Sequence, residues 1–179
     1  PPLARRRALA RDYDPAVQPG NYPGLPSTTP LPIPGMDDAG SRIIGTPVRP
    51  QPGTMHGHCR VTLAGDKGHS GVHVDPSTYS GILYLSLPEH CRGGTDFFRH
   101  KRTGLERVPS RMEDLLAAGY ADVNVLIGEV INRDTLKAAA WEKTFTVPMR
   151  FNLLVLFSPW MFHNAGRPFG TTPENGRLI

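Results

Sequence analysis

Short apolar runs broken by turn residues dominate the second half of the chain. Cys59 to Ala64 alternates apolar and polar positions, and Gly65-Asp66-Lys67-Gly68 closes it as a turn. Gly81 to Leu87, Thr95 to His100, Phe145 to Met149 and Asn152 to Ser158 read as further strands, each too short for a helix and rich in β-branched or aromatic residues. Two helices are expected among them. Ser110 followed by Glu113 has capping-box spacing, Leu115 and Leu116 supply the apolar face and Gly119 stops the run. A second helix is expected from about Asp134 to Lys143, where Ala138, Ala139 and Ala140 favour it. The pattern predicts a mainly β, α+β fold.

The first fifty residues differ. Eleven of the nineteen prolines fall there, which excludes a helix or central strand and leaves an extended arm laid over the body or a partly disordered leader. The organisation expected is a Pro-rich arm over residues 1–50 and one domain over 51–179, its ordered body beginning near Ile43. The first residue is not Met, and a longer natural chain is expected.

Composition narrows the class. Hydrophobic residues make up 39% and charged residues 20%, and no apolar run approaches the ~20 residues of a membrane helix, so a soluble, cytoplasmic protein without a membrane partner is expected. The net charge of +4 owes much to Arg5, Arg6, Arg7 and Arg11. That cluster has no interleaved aromatics and reads as a solvated segment, so no nucleic-acid partner is expected. Cys59 and Cys91 lack disulfide-scaffold or zinc spacing and read as free thiols.

The densest chemical signal is Gly71-Val72-His73-Val74-Asp75-Pro76. On an extended strand, positions i and i+2 share a face, so His73 and Asp75 can reach one ion. The pair is weak evidence by itself, since a surface turn reads equally well. His163, directly after an apolar strand, supplies a third ligand. Two imidazoles and a carboxylate on one face of an octahedral ion leave three positions open, as in non-haem iron(II) oxygenases. Fourteen residues beyond His163 lies Arg177, whose planar guanidinium suits a carboxylate. Tyr84 either faces the pocket or fills the core. His56-Gly57-His58 has metal-pair spacing but lacks the following carboxylate. His69, His90 and His100 read as surface loop residues, Trp160 and Phe162 as packing, and Arg150 and Asn152 as possible pocket groups.

Residues 56 to 179 resemble the Fe(II)/2-oxoglutarate-dependent dioxygenases, particularly their prolyl-4-hydroxylase-like branch. The resemblance rests on His73-Val74-Asp75, on the strand Gly81 to Leu85, on Gly93-Gly94-Thr95-Asp96-Phe97, and on Leu154 to Gly166 leading through His163 to Arg177. It implies a double-stranded β-helix, or jelly roll, with His73, Asp75 and His163 as iron ligands and Arg177, with Tyr84, at the 2-oxoglutarate cosubstrate. Dioxygen takes the remaining position. Asp75 distinguishes hydroxylases from halogenating relatives, so hydroxylation of a small-molecule or peptide substrate is implied. The chain departs from the family at Ile179, where Ser or Thr often follows the anchor by two residues. A cupin-like metalloenzyme without 2-oxoglutarate and a non-catalytic jelly-roll binding module are the competing readings.

Overall fold

A computed structural model describes residues 2–179. In chain order its elements are α1 (Pro2–Leu9), β1 (Leu25–Pro26), α2 (Met36–Ile44), β2 (Arg60–Thr62), β3 (Ser80–Leu83), β4 (Gly94–His100), α3 (Met112–Ala117), α4 (Val123–Leu126), β5 (Trp141–Pro148), β6 (Leu154–Phe157), β7 (His163–Asn164) and β8 (Arg177–Leu178). Three antiparallel sheets result, with strand orders β1-β2-β8, β3-β6 and β5-β4-β7. The fold is mixed, with several short antiparallel sheets beside helices, and is compatible with the β-rich pattern of short apolar runs.

Strand alternation sets the working face of the first sheet. Val61 opposes Leu178, and both are buried on the side where Ala8, Leu31, Cys59 and Leu85 pack. Thr62 opposes Arg177, and both turn to the other face with Arg60, because side chains two apart share a side. The proline-rich segment thus contributes a core face through Ala8 and Leu31, burying apolar surface worth about 1.5–3 kcal/mol for a fully buried Leu.

That segment also corrects an expectation. It holds two helices, α1 and α2, because its prolines sit at helix starts or outside them: Pro2 opens α1, and Pro34 precedes α2. A proline at the first turn costs no hydrogen bond. The strand it contributes, β1, lies at a sheet edge, where proline is tolerated.

The helix expected from Asp134 to Lys143 is absent. Helix occurs earlier, as α4 continued by a π-helical turn over Ile127–Asn132, and Ala138–Ala140 form a single 3₁₀ turn before β5 begins at Trp141. Long-range pairing overrides local propensity here, since Trp141 pairs with His100 across β4 and β5, and its indole N–H donates to the Asp134 carbonyl at 2.8 Å. The Ser110 capping box is also absent: α3 starts after Arg111, no side chain caps it, and Arg111 instead pairs with Glu113 and Asp114. The final apolar strand begins at Leu154 rather than Asn152, which sits in a turn with φ 63°. Trp141, Phe162, Val72 and Leu126 join the largest core cluster, against which Trp160 packs.

His100 is a further correction. It is 1% exposed, its Nε2 lies 3.2 Å from the Asp134 carboxylate and its Nδ1 lies 3.0 Å from the Thr103 hydroxyl. A buried imidazole needs both ring nitrogens partnered, and the last position of β4 supplies them.

Candidate metal centre

His163 is delivered by β7, which pairs with β4 so that His163 stands opposite Phe97. On its other side it meets His73 in a two-hydrogen-bond bridge: His73 N–H donates to the His163 carbonyl at 3.0 Å, and His163 N–H donates to the His73 carbonyl at 3.1 Å. Directly opposed residues of an antiparallel pair carry their side chains to the same face. The imidazoles accordingly meet, with ring centroids 4.4 Å apart. Asp75, two residues on, shares that face, and its N–H donates to the Pro159 carbonyl at 3.0 Å. Behind it Gly71 is required by contact, since a Cβ there would lie 2.2 Å from the Thr135 carbonyl oxygen.

Three side chains converge. His163 Nε2 lies 3.4 Å from Asp75 Oδ2, and His73 Nε2 lies 3.9 Å from Asp75 Oδ1. One ligand atom from each residue falls within 4.8 Å of the others, and among the described residues this is the group of three with that property. The ring nitrogens are oriented for it. His73 Nδ1 lies 2.8 Å from the Gly71 carbonyl and His163 Nδ1 lies 2.8 Å from the Met161 carbonyl. A carbonyl only accepts, so both Nδ1 atoms carry the proton and both Nε2 atoms present a lone pair to the shared space. This is the outer arrangement that metal-ligating histidines use to fix tautomer and ring angle.

The electrostatics favour the same neutral state at His73. Burial, reinforced by the neighbouring His163, pulls the His73 pKa down to about 4, so its imidazole is neutral at pH 7. Burial acts to raise the Asp75 pKa, but its close contacts with His163, His73 and Tyr22 outweigh it and hold the carboxyl below its ordinary range. Two hydroxyls also reach it: Tyr22 donates to Oδ1 at 3.2 Å and Ser80 to Oδ2 at 3.4 Å. Phe157 packs edge-on to His163 with centroids 4.8 Å apart, keeping an apolar wall against the imidazole.

The three residues open into a cavity of about 1110 Å³, and Arg177, Arg60, Thr62 and Thr95 line the same cavity. Arg177 is 2% exposed, and its Nε and Nη2 find no hydrogen-bond partner among the described residues. A buried guanidinium left this way costs several kcal/mol unless an anion meets it. Burial accordingly lowers its pKa.

Tyr84 does not line the cavity. It is fully buried, its hydroxyl is 2.6 Å from Thr95 Oγ1, and its ring lies under the Arg177 guanidinium at 5.8 Å. Its place is behind Arg177, in the core. Arg150 and Asn152 are not among the cavity residues. His58 Nδ1 is held by the Ser27 carbonyl at 2.8 Å and His56 lies 3.4 Å from Asp37, so that pair forms no common site. His69 is exposed and His90 half-buried, as loop positions predict. Both cysteines are free. Sequence reading missed Tyr22, Ser80, Arg60 and Thr95. Tyr22 lies 53 positions from Asp75, and no spacing rule links them.

No helix among the described residues is long and apolar enough to cross a membrane. No curated protein and no solved structure matches the chain. A family model matches residues 66–179, which span His73, Asp75, His163 and Arg177, and the chain belongs to that family, described as a family of unknown function (DUF6445).

Proposed function

We propose that the protein is a non-haem iron(II)- and 2-oxoglutarate-dependent dioxygenase that hydroxylates a C–H bond of an amino acid, peptide or small natural product. In this reading the three antiparallel sheets are parts of a double-stranded β-helix, with the metal centre between them. One observation carries it: two imidazole Nε2 lone pairs and a carboxylate converge in the same cavity as a buried arginine with two unpartnered nitrogens. A zinc site of structural type would need a fourth protein ligand, whereas three ligands leave room for a cosubstrate.

His73, Asp75 and His163 hold the metal, with the Gly71 and Met161 carbonyls fixing both rings. Iron bound there supplies the coupling of dioxygen activation to oxidation of the 2-oxo acid. The balance is substrate C–H, dioxygen and 2-oxoglutarate giving substrate C–OH, succinate and carbon dioxide. Arg177 binds the distal carboxylate of 2-oxoglutarate through its free N–H groups, and Tyr84 and Thr95 keep the guanidinium in place. Thr62, cross-strand from Arg177, and Thr95 line the same cavity. Phe157 excludes water from the His163 side.

The test is succinate formation from 2-oxoglutarate with iron(II), ascorbate and a panel of amino acids, peptides and small metabolites. Succinate above the metal-free background, lost in His163→Ala, is expected. Metal-dependent turnover that ignores 2-oxoglutarate would instead favour a cupin-like enzyme, and metal-independent ligand binding alone would favour a binding module.

A further inference from the structure

The matched family region begins at residue 66, yet a residue well before it reaches into the centre. Tyr22 donates its phenolic proton to Asp75 Oδ1 at 3.2 Å, and its ring stands 4.7 Å from that of His73. Its other neighbour is Arg60, whose guanidinium lies 5.7 Å from the Tyr22 centroid. The segment carrying Tyr22 is fastened on both sides. His69 N–H donates to the Gly20 carbonyl at 2.7 Å and Ser70 N–H to the Asn21 carbonyl at 2.8 Å. Arg60 donates to the Gly24 carbonyl at 3.2 Å and to the Gln18 side chain. Gly24, at φ 85°, allows the approach, because a Cβ there would lie 2.2 Å from the Val61 carbonyl oxygen.

We propose that Tyr22 is a positioning residue of the metal centre, delivered by the N-terminal strap, whose hydroxyl holds the Asp75 carboxylate against the two imidazoles. The proposal rests on the metal-centre reading above. Asp75 needs such help because it is the most exposed of the three, at 32% for its side chain against 14% for His73 and 5% for His163. The imidazoles are held by the backbone, and the carboxylate by two hydroxyls, of which Tyr22 makes the shorter contact. Removing such outer partners typically costs about 10- to 100-fold in metal affinity. The site is therefore completed by residues 18–24, outside the matched region.

The experiment is titration of the full chain with cobalt(II), read from its visible d–d absorption, with iron(II) affinity obtained by competition. Tyr22→Phe keeps the ring against His73 and removes only the hydroxyl. It is expected to weaken both metals about 10- to 100-fold and to shift the d–d spectrum. Tyr22→Leu, which removes ring and hydroxyl together, is expected to do no better than Tyr22→Phe. If Tyr22→Phe binds with wild-type affinity and spectrum while Tyr22→Leu is impaired, the ring matters and the hydroxyl does not, and the proposal is overturned with the metal reading intact. If the wild-type chain binds neither metal, the metal reading falls and takes this proposal with it.

Discussion

The histidine–aspartate clusters at His100 and at His73 and His163 differ in what their imidazoles have left to offer. At His100 both ring nitrogens are spent, on Asp134 and Thr103, and the carboxylate is further paired with Lys137 at 2.9 Å and Arg133 at 3.4 Å. At His73 and His163 each Nδ1 is spent on a carbonyl and each Nε2 faces a cavity. The first cluster is a closed account of donors and acceptors inside the core. The second is open by one lone pair per ring, and a metal ion could complete it. The distinction lies in partners rather than residue types, since both combine imidazole with carboxylate.

The largest separation between the clusters comes from deleting one histidine in each. His163→Ala is expected to abolish measurable metal binding, by more than 100-fold, because two ligands remain. His100→Ala is expected to leave metal affinity unchanged. It should instead lower stability by about 3 kcal/mol, since it strips a partner from a buried carboxylate and a ring from Trp141, for a Tm drop of roughly 6–12 °C. Metal titration and thermal melts on both variants check the pair. Equal loss of metal binding in both would erase the comparison.

Arg177 extends the open cluster. Arg177→Gln is expected to weaken 2-oxoglutarate binding by about 10- to 100-fold, the worth of charge-assisted hydrogen bonds, while iron affinity stays within about threefold. Calorimetric titration of 2-oxoglutarate into the metal-loaded protein measures it.

A smaller effect is set by pH. The His73 pKa, about 4 in the folded chain, lies below the usual imidazole value near 6.5, so below about pH 6.5 the unfolded chain binds the extra proton. Stability of the metal-free protein is therefore present above pH 6.5 and lost as pH falls toward 4. His100, also lowered by burial, adds in the same direction. Melts in chelator from pH 7.5 to 4.5 should show a falling Tm. His73→Gln should flatten part of that slope, and an unchanged slope would contradict the assignment.

The smallest effect tests the strap. Gly24→Ala places a Cβ against the Val61 carbonyl at a φ that alanine avoids, and should cost about 1–2 kcal/mol together with some metal affinity. Loss of stability without any change in metal affinity would separate the strap from the site.

The convergence of His73, Asp75 and His163 was legible because alternation along extended backbone is a local rule: His73 and Asp75 share a face two residues apart, and His163 follows an apolar strand. Arg177 was legible as a basic residue just past a turn, though its burial was not, since that comes from pairing with β2. Elements set by distant contacts escaped. Ala138 to Ala140 carry helix propensity, but Trp141 and His100 pull the following segment into β5. Prolines suggested an arm without helices, yet positions at helix starts cost nothing. His100 looked like a loop residue because Asp134, its partner, lies 34 positions away. Tyr22 was hidden for the same reason.

The central claim, a metal centre and a 2-oxoglutarate site in one cavity, is tested most directly without knowing the substrate. Iron(II) and 2-oxoglutarate are added anaerobically, and the visible metal-to-ligand charge-transfer band of a chelated 2-oxo acid is recorded. A band is expected that requires both additions, disappears in His163→Ala, and needs a higher 2-oxoglutarate concentration in Arg177→Gln. Iron binding with no band at saturating 2-oxoglutarate would contradict it.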